Sequence, residues 1–310
     1  MGYDKRVRTS GQTRRTRESV ANDDVISWGL ETMLMRSAIA IAAVLALGAS
    51  GENEPATSRP GPIIPADYKL VIAVYGVAKE PISKTQLVVH KGRAFLFNPG
   101  PPLEVIIHDP SAERLEMVDL KRKIRSEITF KKLDEYTIKL HDAIAAASAK
   151  REALGGKGNQ VMAAMSRDLI DPHFTNSYDA ATHRLRMTNP SIEVEARGEP
   201  EVDEARWASI HSILVALTKM DAVRNPQEIP PFSKLEALHG LMVDHRLRPT
   251  ELSFIYRLAG APQKLRWTYQ LEPSLTKRET EAIATVEAIH GLCRFARFSR
   301  YGPTERKKVQ

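Results

Sequence analysis

Leu265-Arg-Trp-Thr-Tyr-Gln-Leu271 places an apolar side chain at every odd position and a polar one at every even position. In an extended chain successive side chains point to opposite sides, so this stretch reads as a strand with one face in a core and one in water. Leu252, Phe254, Tyr256 and Leu258 repeat the pattern one strand earlier. Ile192, Val194 and Ala196 do so against Glu193, Glu195 and Arg197, and Leu185 and Met187 alternate with Arg184 and Arg186.

Working outward, the segment before these strands reads as a run of hairpins. Residues 69–75 form an apolar strand. Residues 85–90 and 93–98 flank Lys91-Gly92, a two-residue link that favours a tight hairpin. Residues 103–108 and 114–119 flank Asp109-Pro110-Ser111, where proline presets the turn. With residues 235–244 counted as a further strand, the total is about ten by these strand signals. A one-sided antiparallel meander of that size has to cover its apolar face. Four helical patterns supply the cover. Phe130, Leu133, Tyr136, Leu140 and Ile144 form one stripe, broken by Gly155-Gly-Lys-Gly158. Val161, Met162, Met165 and Leu169 mark a second, and a third opens at Pro200 with Ile210, Ile213, Leu214 and Leu217 inward. Thr276 and Glu279 form a capping box for the last, striped by Ile283, Val286, Ile289 and Leu292. The expectation is an α+β fold: a curved, mostly antiparallel, half-barrel-like sheet with helices packed on its concave, apolar face. One domain over residues 67–301 accounts for the helices interrupting the sheet; a split near residue 155 is the alternative.

The bulk numbers suit such a domain. Of 310 residues, 42% are hydrophobic and 27% charged, ordinary for a globular chain. The net charge of +7 sits at the ends. Residues 1–51 carry seven Lys/Arg against five Asp/Glu, and residues 294–308 carry six against one, so the body between is neutral. A nucleic-acid partner needs a basic face, and none is expected here. The basic tail at residues 302–310 suits a solvated helix end or peripheral contact with an anionic membrane. Cys293, the single cysteine, cannot close an intrachain disulfide and falls on an apolar helix side, where a buried inert thiol is expected.

Met33-Leu-Met-Arg36 precedes an apolar run from Ser37 to Leu47 and the small residues Gly48-Ala-Ser-Gly51. This is the plan of a secretory signal peptide over residues 33–51, and the apolar run is short for a membrane span. Export to the periplasm or cell envelope follows, with an uncleaved inner-membrane anchor as the alternative. Residues 1–32 read as a disordered or mis-assigned extension. Residues 52–66, with Pro55, Pro60, Pro62 and Pro65, read as a disordered linker.

Motifs for chemistry are weak. Gly155-Gly-Lys-Gly158 lacks the spacing of a phosphate loop. Ser274-Leu-Thr-Lys277 fits SxxK, but no KTG or SDN accompanies it and helix capping explains it. Nine histidines include no HExxH; His239 and His245 would stand about 20 Å apart on one strand face. No catalytic residue, metal ligand or cofactor is assigned. The one feature with binding potential is the apolar sheet face. Phe95, Phe97, Val105, Ile107, Trp267 and Tyr269 are the candidate lining of a lipid- or acyl-binding hollow. The plainer alternative, favoured by the length of the helices, is that these side chains are core.

The export signal, the hairpin segments Gln86-Leu-Val-Val-His-Lys-Gly-Arg93 and Glu104-Val-Ile-Ile-His-Asp-Pro110, and the interrupting helices resemble the outer-membrane lipoprotein carrier superfamily over residues 68–150. That resemblance implies a half-barrel holding acyl chains. Phe174-Thr-Asn-Ser-Tyr-Asp179, Ile229-Pro-Pro-Phe232 and Arg248-Pro-Thr-Glu251 are similar to segments of an uncharacterised family of exported planctomycete proteins. The expected function is non-catalytic binding or carriage of a lipid, lipoprotein or polypeptide in the envelope. A structural or protein-interaction role, with another envelope protein as partner, is the alternative, and an unidentified hydrolase the third reading.

Overall fold

The computed structural model describes residues 65–97, 103–225, 229–257, 262–298 and Tyr301; the stretches read as an extension, a signal peptide and all but the last two residues of a linker, and the basic tail at 302–310, lie outside them. Six strands open the fold: β1 (Tyr68–Tyr75), β2 (Ser83–His90), β3 (Arg93–Phe97), β4 (Glu104–Asp109), β5 (Arg114–Asp119) and β6 (Ile124–Thr129). Helices α1 (Phe130–Leu154) and α2 (Lys157–Ile170) follow, then β7 (Thr175–Asp179), β8 (Arg184–Thr188) and β9 (Ile192–Pro200). Helices α3 (Glu204–Arg224) and α4 (Phe232–His239, continued by a π turn over Gly240–Asp244) lead to β10 (Leu247–Tyr256) and β11 (Gln263–Glu272). Helix α5 (Lys277–His290) and the two-residue β12 (Arg294–Phe295) end the described chain.

All twelve strands join one open, curved sheet in the order β12-β6-β5-β4-β3-β2-β1-β11-β10-β9-β8-β7. It is two meanders, β1–β6 and β7–β11, married where β1 pairs antiparallel with β11. Only β12 runs parallel to its neighbour. The α+β class and the curved antiparallel sheet are as the alternation predicts.

Local chemistry sets the helix ends. Thr129 caps α1 by accepting from the Lys132 N–H, and Asp203 caps α3 by accepting from Arg206. The Thr276–Glu279 capping box is present at α5. Gly155 and Gly156, at φ of 67° and 82°, turn the chain between α1 and α2. Lys91 and Gly92, both at positive φ, make the β2–β3 hairpin turn.

Several details depart from the sequence expectation. Residues 232–244 are helical, not a strand: Ser233, Ala237, Leu238, Leu241 and Met242 are the buried positions, a helical spacing. His239 and His245 therefore do not share a strand face; His245 stacks on Tyr178 with ring centroids 3.6 Å apart. Pro200 ends β9 and does not open α3. Strand β6 was hidden because Ser126 occupies one of its core positions, and β7 because it is a polar edge strand with one half-buried residue.

One face of the sheet carries the main core. Tyr68, Leu70, Leu87, Ile106, Met117, Met187, Val194, Leu252 and Phe254 lie beneath Leu133, Ile210, Leu214, Leu217 and Leu238 of α1, α3 and α4. Polar links tie α3 down: Tyr68 Oη donates to Ser209 Oγ (3.0 Å), and Arg224 donates to Glu104 (2.6 Å). The opposite face is not uniformly wet. Over β2–β5 it holds a second cluster, Val88, Phe95, Val105, Ile107 and Val118, roofed by Ile283 and Val286 of α5. Polar contacts rim that roof: an ion pair from Lys69 to Glu279 (2.5 Å) and a hydrogen bond between His290 and the buried Glu116 (2.5 Å).

Candidate functional site

Register decides which predicted site residues can meet. Phe95 pairs with Val88, Val88 with Lys69, and Lys69 with Glu272. Leu96 pairs with Leu87, Leu87 with Leu70, and Leu70 with Leu271. Directly paired residues point to the same side of a sheet, so Trp267 and Tyr269 share a face with Leu96, not with Phe95. The six candidates are thus divided. Phe95, Val105 and Ile107 are buried under α5, with Phe97 packed beside them, while Trp267 and Tyr269 face α3 and α4. They do not line a common hollow. The first four are core, because both faces of β3 and β4 are apolar and sequence parity alone could not rank one over the other.

Trp267 and Tyr269 belong instead to the helix-covered face, whose cover is uneven from one end to the other. Toward the end where β1 begins the cover is tight: Tyr68, Leu70, Leu87, Val89 and Ala94 are at most 1% exposed. Toward the end where β1 and β3 finish and β11 begins it opens. Ile72, Val74, Leu96, Leu265 and Trp267 are only half-buried there, though they lie on the same face. Contiguous apolar side chains that a fold leaves partly uncovered mark interaction surfaces.

Two helices carry charge near this end of the face. Asp221 falls on the inward stripe of α3, four residues after Leu217 and seven after Leu214. The residue is exposed, and desolvation raises its pKa against the lowering pull of Lys234 and Arg224. Lys234 belongs to the first turn of α4, on one stripe with Leu238 and Leu241. Burial lowers its pKa, opposed by the charge of Asp221. Its ammonium stands 4.7 Å from the Trp267 ring centroid, a cation–π contact. Among the described residues, neither Asp221 nor Lys234 makes an ion pair or side-chain hydrogen bond. The Tyr269 hydroxyl, buried and without a partner among them, completes the group. Burial pushes its pKa up, and the nearby charge of Asp221 adds to the shift. Phe254 supports the Trp267 ring edge-on at 5.4 Å.

Asp221 and Lys234 were not singled out by sequence reasoning. The available signal was a lone charge on the apolar stripe of each helix, which the strand reading of residues 235–244 concealed in α4.

A groove of about 500 Å³ between α1 and α2 is lined by His141, Arg167, Asp168 and His173, and one of about 320 Å³ beside β7 by Tyr178, Arg184 and Arg186. Neither is enclosed. Among the described residues no group of three or more His, Cys, Asp or Glu converges to hold a metal ion. Cys293 is partly buried and donates to the Ile289 carbonyl at 3.2 Å, and burial raises its thiol pKa. The Ser274–Lys277 segment serves as the α5 cap. No family model matches the chain, and no curated protein matches it in sequence.

Proposed function

We propose that the protein is a non-catalytic binding or carrier protein of the cell envelope, taking an apolar portion of a lipid, lipoprotein or exported polypeptide against the thinly covered end of the sheet face at β1–β11, beside α3 and α4. The observation that carries this reading is the gradient along one sheet face. It runs from fully covered Leu70 and Leu87 to half-open Ile72, Val74, Leu96 and Trp267. The leader-like residues 33–51 and the likeness of residues 68–150 to outer-membrane lipoprotein carriers support the same assignment. No helix among the described residues is long and apolar enough to cross a membrane.

Native mass spectrometry of the chain purified from its own host's envelope tests it. Co-purifying acyl lipid, lost on delipidation together with part of the thermal stability, is the expected result. A clean mass, with no stabilisation by any lipid added back, overturns it. That second outcome would favour a structural or protein-interaction role, for which the edge strand β7, with Thr175, Asn176 and Ser177 exposed, offers unpaired backbone groups.

A further inference from the structure

The β1–β6 half of the sheet has two unlike ends. Register defines one of them: Val74 pairs with Ser83, Phe97 with Val105, and Glu104, Asp119 and Ile124 fall in one row. Strands β1, β3 and β5 finish there, and β2, β4 and β6 begin. Residues 76–82 and 120–123, the β1–β2 and β5–β6 connections, therefore emerge at the same end, with Leu103 between them just before β4. Five strand spacings, about 24 Å, span the set. Val77 is 90% exposed, Ile82 68% and Leu103 55%. The Ile82 N–H donates to the Val74 carbonyl (2.7 Å) and ties the first connection at its base. The same two connections carry Lys79, Lys121, Arg122 and Lys123 against one acid, Glu80. Asp119 holds Arg122, while the three lysines are exposed and make no ion pair among the described residues. At the opposite end, Lys91-Gly92 and residues 109–113 hold one base against two acids, Asp109 and Glu113. No large apolar side chain of those turns is exposed among the described residues.

From this asymmetry we infer that the basic end of the β1–β6 half is a docking surface for an anionic lipid bilayer. Val77, Ile82 and Leu103 enter the acyl boundary, and Lys79, Lys121 and Lys123 pair with lipid phosphates. Charge and apolarity together select this partner. A polyanion answers the lysines and leaves the aliphatic tips in water. An apolar protein patch answers the tips and strands the lysines. The interface of an anionic bilayer answers both, with phosphates at its surface and acyl chains just below. Docking also turns the thinly covered Ile72, Val74 and Leu96, which lie at the same end, toward the membrane. The surface goes beyond the binding function proposed above, since docking needs no occupant on the helix-covered face.

The test is hydrogen exchange of the full, unmodified chain with vesicles of phosphatidylcholine, alone or mixed with phosphatidylglycerol. On the mixed vesicles the amides of residues 76–82 and 120–123 should slow several-fold, and those of residues 109–113 should not change. Replacing Lys79→Gln, Lys121→Gln and Lys123→Gln together should cut the affinity gained from phosphatidylglycerol roughly a hundredfold, each basic side chain being worth about fivefold. Val77→Asp should abolish the slowing at residues 76–82 with the circular dichroism unchanged. Vesicle binding that leaves both connections unprotected, as attachment through residues 33–51 or 302–310 would, overturns the surface. Binding to neither vesicle overturns it as well. Equal protection on the two kinds of vesicle leaves the lysines no part and overturns the surface as drawn. Equal protection by dextran sulfate, a polyanion without an apolar phase, reassigns the surface and overturns the bilayer. None of these outcomes bears on lipid carried by the helix-covered face, which native mass spectrometry decides separately.

Discussion

The two halves of the sheet share helices on one face and differ on the other. In β9, burial alternates residue by residue from Ile192 to Gly198, with every core position answered by a wet one. In β4 all six residues from Glu104 to Asp109 are buried. The exposed side of the β7–β11 half is a lattice of charges: Arg184 and Arg197 pair with Glu195, and Arg257 with Glu193. The same side of the β2–β5 half is apolar and lies under α5. The comparison teaches that a single sheet can be one-sided and two-sided at once. The C-terminal helix, contributed from about 170 residues away along the chain, converts one condition into the other.

The largest test of that difference is Phe95→Ala. It removes a ring that is 1% exposed from the small cluster beneath α5, and a loss of about 3–5 kcal/mol is expected in denaturant unfolding. Hydrogen exchange should show α5 opening before α3. A loss below about 1 kcal/mol would mean the α5 side is not a true core.

Acid should separate the halves next. His108 in β4 is 3% exposed, stacks on Phe130 at 5.0 Å, and has its pKa pushed down by burial from 6.5 to about 4. Between those two values the unfolded chain takes a proton that the folded chain excludes, so stability falls as pH drops from 6.5 to 4 and levels off for this group below 4. The integrated loss is roughly 3 kcal/mol. Chemical denaturation at pH 7 and pH 4.5, repeated on His108→Gln, checks it; an unchanged slope in the variant would assign the acid sensitivity to other groups.

In the other half, Gly198→Ala attacks the seam between β9 and β10. A Cβ there would meet the Leu247 Cβ at 2.7 Å and the Arg248 carbonyl oxygen at 2.8 Å, beside the register shift at Pro249. Overpacking of this kind costs about 1–3 kcal/mol, and thermal unfolding with far-ultraviolet circular dichroism reads it directly. The smallest effect belongs to the charge lattice. Arg257→Ala removes a half-exposed pair with Glu193 (2.6 Å) and should shift stability by less than about 0.5 kcal/mol, vanishing in high salt. A larger shift would show that the wet face is covered by something in solution.

Legibility followed this same division. Strands β8 to β11 were readable because polar and apolar residues take turns, which assigns each side chain to a face without reference to any partner. In β3 and β4, Ala94-Phe-Leu-Phe97 and Val105-Ile-Ile107 are apolar at both parities, so nothing local says which side faces which helix. Phe95, Phe97, Val105 and Ile107 were grouped with Trp267 and Tyr269 as one apolar sheet face, and the pairing through β2 and β1 separates them. The helix over residues 232–244 was misread because a short apolar run satisfies both periods until its neighbours are known.

By itself the sequence determined the α+β class, the hairpin turn at Lys91-Gly92, the break at Gly155-Gly156 and the capping box of α5, since each depends on backbone preferences within a few residues. Tertiary structure alone decided that β1 pairs with β11, that α5 crosses to the far face, and that Lys234 comes to rest on the Trp267 ring. Those outcomes depend on register and packing between segments up to about 200 residues apart, where no local propensity reaches and the burial of both faces chooses the arrangement.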